Sequence, residues 1–254
     1  MPEVFDLRKE YAFPVDVADK VEFCGYIRKK AGMLDRRTLR QQLHLTQDEQ
    51  LVLVTPGGGE DGIHLIQNYL DGLATRSPNF RSLIVTGSEM NPATQSALNR
   101  MAQRMPSVEM MEFTDDLMSY IDASDLVVCM GGYNTITEVL SQAKRSISVP
   151  RINPGHEQLI RANRMQAFGF LRALPPSETT PESLIATVEA ELQQSRFAAV
   201  ERLDLQGLPN VARSISKMLF EGVARSVVTP AALIAPAFAN SSSAPSPKIQ
   251  SVIQ

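Results

Sequence analysis

The chain has 254 residues, 43% hydrophobic and 21% charged, a balance that suits a soluble globular protein with a substantial core. Its net charge of −3 excludes a global attraction to nucleic acid or anionic lipid. Two cysteines without a CxxC and three scattered histidines argue against a disulfide framework and a His-rich metal site.

Residues 1–20 carry many charges and no clear element, so they read as an arm or interdomain linker and not as a signal peptide. From Val21, short β-branched runs alternate with amphipathic stretches. The runs predict strands at 21–27, 50–55, 82–86, 108–113, 125–130 and 146–149. The amphipathic stretches predict helices at 36–43, 61–75, 92–104, 115–122, 134–143, 156–168, 181–193 and 208–223. The strand runs are continuously apolar, as strands buried on both faces are. The fold class expected is therefore α/β: a Rossmann-like open parallel sheet with helices on both faces, in one domain over 21–224. From residue 225 the chain is rich in Ala, Ser and Pro and predicts a disordered tail. Its apolar stretch VVTPAALIAPAFA is too short and too broken by prolines to cross a bilayer as a regular helix.

Four segments could carry chemistry. Thr55–Gly62, TPGGGEDG, follows the strongest strand and precedes a helix pattern. Gly57, Gly58 and Gly59 would let backbone N–H groups approach an anion at a helix start. A Walker lysine and the GxGxxG spacing are both missing, which argues against a P-loop or a standard dinucleotide site. In CMGGYNTITEVL, Gly131 and Gly132 end a strand, and Asn134 or Thr135 could cap the next helix. Thr135 and Glu138 spell a capping box, and the same residues could equally hold a diphosphate and a ribose diol. In PGHEQLIRANR, Glu157 and Gln158 open a helix where they could read sugar hydroxyls or serve as an ordinary polar first turn. Asp115 and Asp116 point apart on a helix start, so capping by one Asp is the better reading than paired acid–base work.

Taken in order, these segments resemble the C-terminal domain of GT-B glycosyltransferases of the family-28 type, which include the bacterial N-acetylglucosaminyltransferase that forms lipid II. The resemblance covers roughly Val21 to Gly169 and is strongest in EFTDDLMSYIDASDLVVCMGGYNTITEVL. It implies a donor domain for a nucleoside diphosphate sugar, UDP-linked, used by a hexosyltransferase. Gly57–Gly59 would face the phosphates. Phe113 and Thr114 would lie against the base, with Arg28 near it. Gly131, Gly132, Tyr133, Asn134 and Thr135 would hold the diphosphate, and Glu138 the ribose. Glu157 and Gln158 would read the sugar. No metal and no cofactor beyond the donor substrate are expected.

Two positions depart from the family pattern. Ala143-Lys144-Arg145-Ser146 replaces its Gly-x-Pro, so a different turn is expected, and Glu157-Gln158 stands where Gln-Gln is common. A two-domain enzyme of this class needs about 350–400 residues. The resemblance therefore implies an acceptor domain, and the catalytic base with it, outside this sequence or on a separate subunit. A non-catalytic UDP-sugar-binding module is the alternative. The expected location is the cytoplasm, or the membrane periphery through a partner. The basic residues Arg28, Lys29, Lys30, Arg36, Arg37 and Arg40 read as a solvated face sooner than as a lipid or partner contact.

Overall fold

The apolar runs become parallel strands in a computed structural model that describes residues 2–76, 78–194 and 203–226. They are β1 (Gln50–Thr55), β2 (Phe80–Val85), β3 (Val108–Met111), β4 (Leu126–Cys129), β5 (Ser146–Ser148) and β6 (Arg172–Ala173), in the sheet order β3-β2-β1-β4-β5-β6. Every neighbouring pair is parallel, including β1 with β4, where Leu53 faces Val127 and Thr55 faces Cys129. The chain order therefore reverses between β1 and β4.

Side chains alternate to opposite faces of the sheet, and each face has its own core. Leu51, Leu53, Val127 and Cys129 pack with Leu39, Ile121, Ile136, Leu140 and Met165. These last five come from α3 (Arg36–Gln42), α6 (Leu117–Ala123), α7 (Tyr133–Ser141) and α8 (Glu157–Ala167). Val52, Val54, Leu126 and Val128 pack on the other face with Ile66, Tyr69, Leu98, Leu184 and Val188. That side carries α4 (Ile63–Thr75), α5 (Pro92–Ala102) and α9 (Pro181–Leu192). Each fully buried Val or Leu of β1 contributes about 1.5–3 kcal/mol. The loop after β1 leads to one face and the loop after β4 to the other. Between them opens the crevice where ligands bind in sheets of this topology.

The predicted strand over 21–27 does not form. Gly25 turns the chain at φ +84°, and only Ile27 makes a bridge, antiparallel to Gln206. The segment docks instead on residues 204–210. The Tyr26 N–H donates to Asp204 O at 2.7 Å, the Gly207 N–H to Tyr26 O at 2.9 Å, and Asn210 Nδ2 to Cys24 O at 3.0 Å. The sixth strand is β6, whose two residues are too few to leave a periodic signal.

The N-terminal segment, expected to lack elements, forms two short helical turns, α1 (Leu7–Glu10) and α2 (Val15–Ala18). Asp6 caps α1 by accepting from the Arg8 N–H, and Val4 is fully buried in the core. The chain divides into units Met1–Ala212 and Arg213–Gln254, so this segment belongs to the first. The described part of the second is the end of α10 (Gly207–Ser226). From residue 227 the predicted tail lies outside the described residues.

In the turn before β5, Ala143 holds φ +51°, a left-handed conformation that a residue with a Cβ rarely adopts. One further expectation changes. Arg36 and Arg40 do not form a free solvated face. Arg36 Nη1 donates to the carbonyls of Asp122, Ala123 and Ser124 at the end of α6. Both arginines pair with Asp125, which also accepts the Leu51 N–H at 2.7 Å.

Candidate functional site

A cleft of about 710 Å³ lies over the C-terminal ends of β1 and β4. Its floor is made by the two glycine loops. After β1, Gly57 and Gly59 hold φ values of +93° and +104°. A Cβ on Gly59 would lie 2.4 Å from Thr86 O, so this glycine is required by the close packing of the loop on the segment after β2. A Cβ on Gly57 would sit 3.5 Å from Thr135 Oγ1, which shows how closely the two loops face each other.

After β4, Gly131 turns the chain at φ +81° and Gly132 becomes the N-cap of α7. This overturns the capping-box reading. The helix starts earlier than the Thr135 cap requires, so Thr135 sits in its first turn and Glu138 beyond it. Neither Asn134 nor Thr135 caps the helix. The α7 N-terminus has no side-chain cap, and neither does that of α4 behind Gly62 or that of α8 behind His156. By contrast, Asp35, Asn91 and Thr180 cap α3, α5 and α9. The uncapped termini leave first-turn N–H groups and positive partial charge at the cleft, where an anion is favoured.

Most predicted site residues meet here. Gly57, Gly58, Gly59, Phe113, Thr114, Gly132, Tyr133, Asn134, Thr135, Glu138 and Gln158 line the cleft. Gly131 is buried beneath it, with Arg161 Nη1 donating to its carbonyl at 3.3 Å. Phe113 is exposed because β3 stops at Met111, short of the predicted end, and leaves the ring on the rim. Tyr133 stacks on buried Tyr26, with ring centroids 5.8 Å apart, and burial pushes the Tyr26 phenol up to about 12. Glu157 lines an adjoining cavity and accepts a hydrogen bond from the Tyr11 hydroxyl. Gln158 Oε1 accepts the Arg151 N–H at 3.1 Å. Arg28 is exposed and is not among the residues that line the cleft.

Asp116 does not use its side chain to cap α6. It accepts the Met33 N–H through both oxygens, at 3.2 and 3.1 Å, and a hydrogen bond from Ser119 Oγ. It thereby ties the segment before α3 to the start of α6.

Glu138 is half-buried, and desolvation raises its carboxyl above the usual range, opposed by the charge of Lys29. Lys29 is thus the basic residue coupled to the predicted ribose ligand. Its backbone N–H donates to Ser141 Oγ at 2.9 Å, which fixes it beside α7. The family resemblance placed its neighbour Arg28 near the base, and Lys29 was read as part of a solvated face. Arg151 was missed as well. Its signal was a charged residue three positions after the end of the buried strand β5, at the ligand edge of the sheet. Among the described residues, no group of three or more His, Cys, Asp or Glu is placed to hold a metal ion. No helix among the described residues is long and apolar enough to cross a membrane.

Comparison with known proteins gives the family and the fold. Residues 51–212 match the glycosyltransferase family 28 C-terminal domain. An uncharacterized glycosyltransferase of Methanopyrus kandleri is 25% identical over 86% of this chain and 60% of its own length. The UDP-N-acetylglucosamine--N-acetylmuramyl-(pentapeptide) pyrophosphoryl-undecaprenol N-acetylglucosamine transferase of Chromohalobacter salexigens is 33% identical over 46% of this chain and 35% of its own. The chain thus spans less than two thirds of the length of these relatives. Among solved structures, MurG of Acinetobacter baumannii superposes with a TM-score of 0.53 at 16% identity, over 74% of this chain and 53% of that one. The calicheamicin glycosyltransferase CalG4 superposes with a TM-score of 0.57 at 16% identity, over 88% and 58%. These two similarities concern the fold: a Rossmann-like unit of the kind found in GT-B glycosyltransferases. By the match over its core, the chain belongs to glycosyltransferase family 28, as a C-terminal domain of that family.

Proposed function

We propose that the cleft binds a nucleoside diphosphate sugar, with UDP as its nucleotide. The chain is then the donor-binding part of a hexosyltransferase that passes the sugar to an acceptor hydroxyl. One observation carries this reading: two glycine loops converge at the β1–β4 reversal, each leading into a helix that no side chain caps. The N–H groups of Gly57–Gly59 and Gly132–Thr135 bind the diphosphate. Glu138 accepts from the ribose hydroxyls, and Phe113 and Thr114 flank the base. Glu157 and Gln158 meet the sugar.

Transfer breaks the bond between the anomeric carbon and the β-phosphate oxygen, so negative charge grows on the leaving UDP. Oriented amides and helix dipoles stabilise that charge without reorganising, and each such donor is worth about 10²-fold in rate. In this reading no metal is required. The acceptor and the base that takes its proton belong to a second domain, and the work is done in the cytoplasm.

A second reading is a UDP-sugar-binding subunit that is inactive alone. Calorimetric titration with UDP and UDP-N-acetylglucosamine tests the binding common to both readings, with saturable one-to-one binding expected. Turnover assays with and without an acceptor-domain partner then separate them.

A further inference from the structure

The cleft is acidic for a site that would hold a diphosphate. Glu60, Asp61, Glu89, Asp115 and Glu138 all line it, and Arg151 is the one cationic side chain among the described residues that do. Amide dipoles offset part of the resulting repulsion, but a full counter-charge has only this source inside the cleft. Arg151 also borders the cavity beside α4 and the cavity beside α8, so its guanidinium stands where three open spaces meet.

Its backbone is held and its head group is not. The Arg151 N–H is anchored on Gln158 Oε1 at 3.1 Å, whereas the guanidinium pairs through Nη1 with Asp61. That pair is half-exposed on both sides, with 41% and 46% of the side-chain surfaces accessible. Exposed pairs of this kind are weakly held. Asp61 belongs to the glycine loop that leads to α4, so the pair links that loop to the connection between β5 and α8.

We infer that Arg151 is the donor-phosphate cation, and that Asp61 is its resting partner before the nucleotide arrives. This rests on the nucleotide reading given above. A diphosphate offers the planar guanidinium a bidentate partner with more charge than one carboxylate, so the side chain exchanges Asp61 for phosphate oxygens. The contact strengthens as the sugar leaves and the charge on the diphosphate grows, which makes it a transition-state contact as well as a binding one.

The test is a set of titrations of the full chain with UDP and with uridine, by calorimetry for UDP and by NMR for the weaker nucleoside. Arg151→Ala is expected to weaken UDP at least about tenfold, as loss of a charge-assisted pair does, and to leave uridine within twofold. Arg151→Lys is expected to fall between, because it keeps the charge and loses the fork. Asp61→Asn is expected to strengthen UDP binding by freeing the guanidinium. Arg151→Gln serves in place of the alanine variant if that chain fails to fold. Equal losses for UDP and uridine, or no loss for either, overturn the inference. So does a fall in UDP affinity in Asp61→Asn. If the wild-type chain binds neither ligand, the nucleotide reading itself fails, a result distinct from wild-type binding of UDP that Arg151 does not influence.

Discussion

Tyr11 and Glu157 meet across 146 residues of sequence, the phenol donating a hydrogen bond to Glu157 Oε1. The N-terminal segment thereby reaches the carboxylate proposed to read the sugar. Tyr11→Phe removes that competitor. The UDP affinity is expected to stay unchanged, while UDP-sugar binding relative to UDP rises by about two- to fivefold, the worth of one exposed charge-assisted contact. Paired titrations of both ligands check it. An unchanged ratio would detach Glu157 from the sugar.

Glu138 separates stability from binding. Its carboxyl titrates above the usual range because burial disfavours the charged form. An acid with a raised folded-state value binds its proton more tightly folded than unfolded. Its ionisation therefore costs stability as pH rises through the window just above the ordinary glutamate value. Glu138→Gln removes that cost and is expected to raise the melting temperature at pH 7. The same change is expected to weaken UDP about tenfold by removing a charged acceptor from the ribose. Wild-type UDP affinity is also expected to fall on acidification at a higher pH than an ordinary carboxylate would give. A variant that loses stability and keeps its affinity would falsify this assignment.

The glycines divide by role. Gly59→Ala would push a Cβ to 2.4 Å from a backbone carbonyl at φ +104°, so it is expected to cost about 2–4 kcal/mol of stability. Gly132→Ala meets no atom within 4 Å of its Cβ at φ −57°. It is expected to fold normally and to lose UDP affinity, because the new methyl occupies the space assigned to the phosphates. Thermal unfolding and calorimetry on the two variants check the division, and a Gly132→Ala chain that binds UDP as well as wild type would remove the phosphates from that loop.

Ala143 pays a backbone cost at φ +51°. Ala143→Gly is expected to stabilise the fold by about 0.5–1 kcal/mol, the left-handed strain less the greater unfolded-state freedom of glycine. Chemical denaturation measures it, and a destabilised variant would show that this turn is not strained.

The central strands were legible because burial on both faces writes an unbroken apolar run, as in Leu51–Val54 and Leu126–Cys129. The same rule misread VEFCGYI. An apolar run that docks on the 204–210 segment looks in sequence like one that joins a sheet, and nothing local signals the positive φ of Gly25. The glycine loops were legible as loops and the start of α7 to within one residue, but its cap was not. Thr135 and Glu138 have the spacing of a capping box, whereas the backbone begins the helix earlier, where Gly131 turns and Gly132 caps. Arg151, Lys29 and Tyr11 escaped because their interactions with Asp61, Glu138 and Glu157 join chain segments brought together only in the fold.

The most direct test is amide chemical-shift mapping of the full chain as UDP is added. The account predicts saturable shifts centred on Gly57, Gly58, Gly132, Tyr133 and Asn134, with smaller ones at Glu138 and Thr114. Saturable shifts confined to another surface, or none at millimolar UDP in a folded chain, would contradict it.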